Sequence, residues 1–282
     1  MTGCALGIDV GGTKIALGVV SFPDAKVLTC EIRPTLAERG GEAILEEVAS
    51  FSRAMCGKIP VRAVGLAICE LVDLAGNIVS NNCIKWKTVD IIEALSTIAP
   101  VTIEADVRAA ALAEGMFGAG KPFKHFLYIT VGTGISSCLV IDGKPYTGAR
   151  GLTGTFASAP LPGIEQSLEE LASGAAITRR ATASAAATSE PLGAGIGLLI
   201  NTLDPEAVVI GGGLGLSGGA YWDKLVASIR RHIWSPLHRD LPILPAASPH
   251  SAMIGAAAAA LRSFSGSSPN PAPPPAPGRL PE

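Results

Sequence analysis

Two short glycine-rich segments of the same kind, each following a strand-like run and leading into another, constrain this chain most. The first is Asp9-Val-Gly-Gly-Thr-Lys14, between the apolar, β-rich residues 5–8 and 15–20. The second is Thr130-Val-Gly-Thr-Gly134, roughly 120 residues further on, at the end of residues 125–131 and before residues 135–141. Glycines between two strands mark a tight hairpin turn that something approaches closely. Without a Cβ in the way, successive backbone N–H groups form a concavity that binds anions. In the first turn Gly11 and Gly12 supply that backbone, Thr13 a hydroxyl donor and Lys14 a cation. Asp9 suits Mg²⁺, directly or through water, because this hard cation takes carboxylate oxygens. Gly132, Thr133 and Gly134 repeat the chemistry. A dinucleotide fingerprint fits worse, since its glycines must open a helix, and the Walker spacing is missing. The pair reads as a clamp, with one phosphate loop on each of two domains.

The chain has 282 residues, more than one hydrophobic core usually carries. After the first hairpin come a third strand (27–33), a helix with apolar residues on one face (41–58), a buried strand (61–68), a short helix (89–99), a strand (101–103) and an alanine-rich helix (107–115). The order restarts after Gly120. Strands 125–131 and 135–141 are followed by an Asp142-Gly143 hairpin turn, helices 164–171, 175–186 and 192–203, a strand (207–210), and helices 221–233 and 252–262. This weak internal duplication predicts an α/β fold of two lobes, 1–115 and 116–251. The last helix is expected to pack back on the first lobe, and residues 263–282, rich in Pro, Ser and Gly, to form a disordered tail.

Lys plus Arg number 22 and Asp plus Glu 24, a net charge of −2, with no basic cluster to track a nucleic-acid backbone. The six cysteines are scattered without a C-x-x-C pair, so zinc spacing is absent, and they read as buried thiols in a reducing compartment. The start of the chain lacks the pattern of a signal peptide, and the apolar run 252–261 is too short for a bilayer. A soluble cytoplasmic protein is expected.

Asp106 stands between a strand end and a helix start. It suits an N-cap, and equally the carboxylate that takes a proton from an attacking hydroxyl, worth about 10²–10⁴ in rate. Gly211, Gly212 and Gly213 after a buried strand, and Gly174 before a helix, read as tight turns or as backbone approached by a flat ligand.

With these residues in view, the chain resembles the ROK family of sugar kinases, within the actin–hexokinase–Hsp70 ATPase superfamily, from about Leu6 to Leu261. Asp9-Val-Gly-Gly-Thr-Lys14 and Tyr128-Ile-Thr-Val-Gly-Thr-Gly-Ile135 resemble its two phosphate motifs. Asp106-Val-Arg-Ala-Ala-Ala-Leu-Ala-Glu114 resembles the segment carrying its catalytic base, which implies that role for Asp106. Leu171-Ala-Ser-Gly174 and the segment from Asp204 to Gly213 resemble its adenosine-side motifs. The resemblance implies a two-lobed ribonuclease H-like fold with ATP and Mg²⁺ in the cleft, closure on substrate, and a homodimer. Hinges are expected near residues 105–120 and before the last helix.

The acceptor side departs from the family. Ala105 stands where an Asn usually precedes the base. Thr155 replaces a sugar-binding Glu, Ser158 replaces a His that binds sugar and zinc, and the Cys-rich zinc segment is absent. Cys69-Glu70 stands where Pro-Gly is usual, while Asn82, four residues before Trp86, follows the pattern. Glu70 reads either as a partner for a substrate amine or as a solvated loop carboxylate. The expectation is an ATP-dependent kinase for a hydroxyl, a primary one, of a sugar-like polyol: a C7-cyclitol or amino sugar of specialised metabolism such as antibiotic biosynthesis. The alternatives are an ordinary glucose or N-acetylmannosamine kinase without zinc, and a non-catalytic sugar sensor. ROK repressors carry an added N-terminal DNA-binding domain, and this chain begins at the first strand.

Overall fold

The computed structural model describes residues 1–86, 90–160, 165–179 and 185–265. In chain order the elements are β1 (Gly3–Val10), β2 (Lys14–Phe22), β3 (Lys26–Pro34), α1 (Gly40–Cys56), β4 (Val64–Ile68), α2 (Ile91–Ser96), β5 (Val101–Ala105) and α3 (Asp106–Phe117). There follow β6 (Phe126–Val131), β7 (Ile135–Ile141), β8 (Lys144–Pro145), α4 (Leu168–Ala172), α5 (Gly174–Arg179), α6 (Ala185–Leu203), β9 (Ala207–Gly211), α7 (Gly219–His232), β10 (Ile243–Pro245) and α8 (Ser251–Ser265).

Two five-stranded sheets result, ordered β3-β2-β1-β4-β5 and β10-β9-β6-β7-β8. Read from the other edge, the second becomes β8-β7-β6-β9-β10, the same order of first hairpin, third strand and two parallel returns. The duplication seen in the sequence is therefore a duplication of topology. In the first sheet β1, β4 and β5 run parallel, with Val10, Ile68 and Ala105 in register at their carboxyl ends. In the second, β6, β9 and β10 are parallel, with Thr130 opposite Gly211. Ligands in α/β sheets bind beyond such carboxyl ends.

Helices α1 and α2 cover one face of the first sheet, packing Ile44, Val48, Ile91 and Leu95 on Leu6, Ile8 and Leu66. On its other face lies α8, so close that a Cβ at Gly65 would stand 1.9 Å from the Ala256 carbonyl oxygen. Helix α3 is shared. Leu112 and Ala113 face α8, while Val107, Ala110 and Ala111 pack on Phe126, Tyr128 and Val209 of the second sheet. That second sheet is closed on its far face by α4, α6 and α7, through Leu168, Leu192, Ile196, Leu225 and Ile229. Small side chains let three layers approach this closely, which is why α3 and α8 are rich in alanine.

Several expectations shift. Helix α8 continues to Ser265, so residues 263–265 are helical and do not belong to a tail; residues 266–282 lie outside the described residues. Helix α6 begins at Ala185 and passes through Pro191, although a proline disfavours helix at the residue before it. Packing against α7 outweighs that local cost. Strand β10 has three residues, one of them proline, at a sheet edge where no ladder donor is needed. The cysteines are not uniformly buried. Cys138 is buried, Cys30 is exposed because β3 is an edge strand with one face outward, and the other four are intermediate. Among the described residues no helix is long and apolar enough to cross a membrane.

Candidate active site

The first turn closes through the Gly11 N–H, which donates to the Lys14 carbonyl at 3.0 Å. Thr35, beyond the end of β3, braces it from behind. Its hydroxyl donates to the Gly11 carbonyl at 2.6 Å and its N–H to the Thr13 carbonyl at 2.9 Å. Thr35 is fully buried. Nothing in its sequence surroundings marks it, because the contact depends on the register of β2 with β3.

The second turn closes through the Gly132 N–H to the Gly134 carbonyl at 2.9 Å. The predicted glycines gather around it. The Gly174 N–H donates to the Gly132 carbonyl at 2.7 Å, and the N–H groups of Leu214 and Gly215 reach the Val131 carbonyl at 2.9 and 3.0 Å. Gly212 has a φ of +82°, and a Cβ there would lie 2.5 Å from the Val131 carbonyl oxygen. Gly212 thus lets the backbone lie flush against the end of β6. Glu169, which the sequence reading missed, accepts from the Ile135 N–H at 2.7 Å. Its signal was one of two adjacent acidic residues, Glu169 and Glu170, at the start of a short helix, a common surface pattern.

The two turns meet. The hydroxyls of Thr13 and Thr133 lie 2.7 Å apart. At the carboxyl ends of the parallel strands β1 and β5 stand Asp9 and Asp106. Desolvation, and next the charge of Asp106, push the Asp9 carboxyl up to about 7, with Lys14 opposing. Asp106 is pushed up to about 6, first by desolvation; its hydrogen bond from the Val107 N–H, 2.6 Å, opposes this, and the charge of Glu70 adds to it. A floor of two desolvated carboxyls is short of positive charge. Mg²⁺, which needs only one or two protein carboxylates when phosphates complete its shell, fits that deficit at Asp9. The facing glycine turns with their two hydroxyls fit the phosphates.

On the acceptor side the structure corrects the reading of Glu70. The residue is 4% exposed, and it is neither solvated nor open to a substrate amine. Its four acceptor positions are taken by Ser80 Oγ and by the backbone N–H groups of Asn82, Cys83 and Ile84. Asn82 keeps its side chain exposed. The neighbouring Cys83 thiol and, next, burial push the Cys69 thiol well above its ordinary value. Ala105 is buried at the end of β5, directly before Asp106. Thr155 and Ser158 bound one turn, with the Ser158 N–H on the Thr155 carbonyl at 3.0 Å and both residues exposed. That turn is tied to the second phosphate turn, since the Glu169 N–H donates to the Ala157 carbonyl at 2.9 Å.

The sequence profile of the ROK family matches residues 5–190 and 179–263. The chain belongs to the ROK family. Among its relatives, the glucokinase of Streptomyces coelicolor is 28% identical over 83% of this chain and 91% of its own. The N-acetylgalactosamine kinase AgaK of Shewanella sp. is 28% identical over 74% and 81%. Among solved structures, a ROK family glucokinase from Streptomyces griseus, in complex with glucose and AMPPNP, superposes with a TM-score of 0.83. It shares 25% identity, over 92% of this chain and all of that one. These likenesses make the fold that of the actin-like ATPases.

Proposed function

We propose that this chain is a kinase that transfers the γ-phosphoryl group of ATP to a primary hydroxyl of a sugar-like polyol, a C7-cyclitol or an amino sugar of specialised metabolism. As a member of the family, the chain is a phosphotransferase with an alcohol group as acceptor, of the sugar-kinase kind, and uses ATP with Mg²⁺. The single observation that carries the chemistry is the 2.7 Å approach of Thr13 to Thr133 over the Asp9–Asp106 floor. One phosphate turn from each sheet thereby faces one general base.

Gly11 to Lys14 and Gly132 to Gly134 would bind the phosphates, Gly174 and Gly211 to Gly213 the adenosine side, and Asp9 the metal. When bound, Mg²⁺ neutralises charge on the transferring phosphoryl group. Asp106 accepts the proton of the acceptor hydroxyl as that oxygen bonds to the γ-phosphorus and the bond to ADP breaks. Its pKa of about 6 leaves it deprotonated at neutral pH and close enough to neutrality to take a proton readily. The finer substrate claim draws on Thr155 and Ser158. They lack the carboxylate and imidazole that bind a hexose in the family, and losing partners for a substrate hydroxyl forfeits discrimination of about 10⁴–10⁵.

ADP release measured across glucose, N-acetylmannosamine, N-acetylgalactosamine and a C7-cyclitol tests the reading. A cyclitol or amino sugar is expected to give the highest kcat/KM. Glucose or N-acetylmannosamine as best acceptor would refute the retargeted substrate, and turnover on none, with ATP still bound, the kinase reading. Asp106→Asn should lower kcat about 10²–10⁴-fold at unchanged ATP affinity. Wild-type kcat should fall below pH about 6 as Asp106 takes up its proton. A flat profile down to pH 5 would remove Asp106 as the base.

A further inference from the structure

We infer that Glu70 is a positioning residue of the acceptor side: its buried carboxylate fixes residues 80–84 as a platform that presents Asn82 to the cleft. The inference rests on the kinase reading above and deepens it.

Residues 80–84 form no regular structure, so their backbone donors need partners from elsewhere. One carboxylate meets that need. Oε1 of Glu70 accepts from the Cys83 N–H at 2.7 Å and the Ile84 N–H at 2.8 Å. Oε2 accepts from the Asn82 N–H at 2.9 Å and from Ser80 Oγ. Three successive N–H groups converging on an anion form a nest, occupied here by the chain's own side chain. Among the described residues no Lys, Arg or His forms an ion pair with Glu70, and these donors compensate its buried charge. Removing them, or the charge, therefore loosens the whole segment.

The platform is tied at both ends. The Leu71 N–H donates to Ser80 Oγ at 2.9 Å, and the Trp86 N–H to Asn81 Oδ1 at 3.0 Å. The Gly41 N–H, at the start of α1, holds the Lys85 carbonyl at 3.0 Å. At its centre Cys83 bears on the first phosphate turn: a Cβ at Gly12 would lie 2.5 Å from Cys83 Sγ. Pinning the Asn82 backbone while its side chain stays exposed removes the freedom that an acceptor would otherwise have to freeze on binding. The ATP turns have their own braces in Thr35, Gly174 and Glu169, so the effect of Glu70 should fall on the acceptor.

The test is steady-state kinetics of the full chain with MgATP and whichever of the four acceptors above gives turnover. Glu70→Gln keeps the shape, but turns an amide NH₂ toward N–H donors. It should raise acceptor KM about 10–100-fold, the equivalent of one hydrogen bond to a charged group, with ATP KM changed less than about 2-fold. Ser80→Ala removes one donor and leaves the charge and the three N–H groups, and so keeps the test alive if Glu70→Gln does not fold. Its acceptor KM should rise about 3–10-fold. Hydrogen–deuterium exchange should find the amides of residues 82–84 protected in the wild type and exposed in Glu70→Gln. Equal rises in both KM values, or an unchanged acceptor KM in Ser80→Ala, would overturn the inference and leave the kinase reading standing. A wild type that turns over none of the acceptors would overturn both.

Discussion

Asp9 carries the sharpest conflict between folding and chemistry in this chain. Its carboxyl titrates near 3.8 when exposed and is pushed up to about 7 in the fold, chiefly by desolvation. The folded state therefore holds the proton more tightly. The associated stability is fully present below pH 3.8, falls as pH rises between the two values, and is gone above about 7. Asp9→Asn escapes this loss. Its denaturation midpoint in metal-free buffer should exceed that of the wild type at pH 8, by the equivalent of several kcal/mol, and match it near pH 4. Adding MgATP should stabilise the wild type and leave Asp9→Asn nearly unmoved, since a ligand that binds only the folded state stabilises it. If the two proteins keep a constant offset across that pH range, Asp9 is not the strained group. The motif around Asp9 was legible because glycine, hydroxyl and carboxylate all sit within six consecutive residues. Glu70 was misread because its partners lie 10 to 14 residues away on a loop that no periodicity describes.

At the scale of the element, α3 does more than its alanine-rich pattern announced. The pattern gave a helix and a candidate base at its first turn; it could not give the helix two partners. Arg108 shows the consequence. It is 4% exposed and pairs with Glu104 on β5 at 2.5 Å. The same Nη2 donates to the Val72 carbonyl at 2.8 Å, and Nη1 donates to the Gly151 carbonyl. Those carbonyls belong to loops of different sheets, so one side chain at the head of α3 ties both loops beside the acceptor side. Arg108→Met retains the apolar stem and strands two carbonyls. Hydrogen bonds to a charged group are worth about 1.5–3 kcal/mol each. Partial exposure of Glu104 lets water compensate that end, so a loss of about 3 kcal/mol is expected in urea unfolding. A loss under about 0.5 kcal/mol would mean that the loops hold themselves. The strand hairpins were legible to within two or three residues because turn chemistry fixes them locally. The three-residue β10 was not, because its place follows from β9 alone.

At the scale of the molecule, two copies of one topology are joined at two crossings, from α3 to β6 and from β10 to α8. We propose that both are governed by Glu114, on the last turn of α3. It is 1% exposed. Oε2 accepts from the Ala119 N–H at 2.8 Å, on the first crossing. The Ala247 N–H, on the second, reaches both oxygens at 3.1 Å, and the Ser251 hydroxyl at the head of α8 reaches Oε1 at 2.5 Å. The family resemblance leads one to expect hinges near both places but offers no reason for them to act together, since residues 114 and 247 are remote along the chain. A shared anion supplies that reason: neither crossing can change its backbone path without giving up part of the other's anchor. Glu114→Gln removes the charge and sets an amide donor against an N–H group, so it should cost about 2–4 kcal/mol in urea unfolding. In many enzymes closure on the substrate excludes water, and opening or closing limits turnover. Loosened crossings should therefore lower kcat more than they raise the KM of ATP. Small-angle scattering should give the variant a larger radius of gyration than the wild type without MgATP, and the same radius with it. If Glu114→Gln unfolds at the wild-type urea midpoint and scatters identically in both conditions, the crossings are held by packing of α3 on α8, and the carboxylate at their junction has no part in closure.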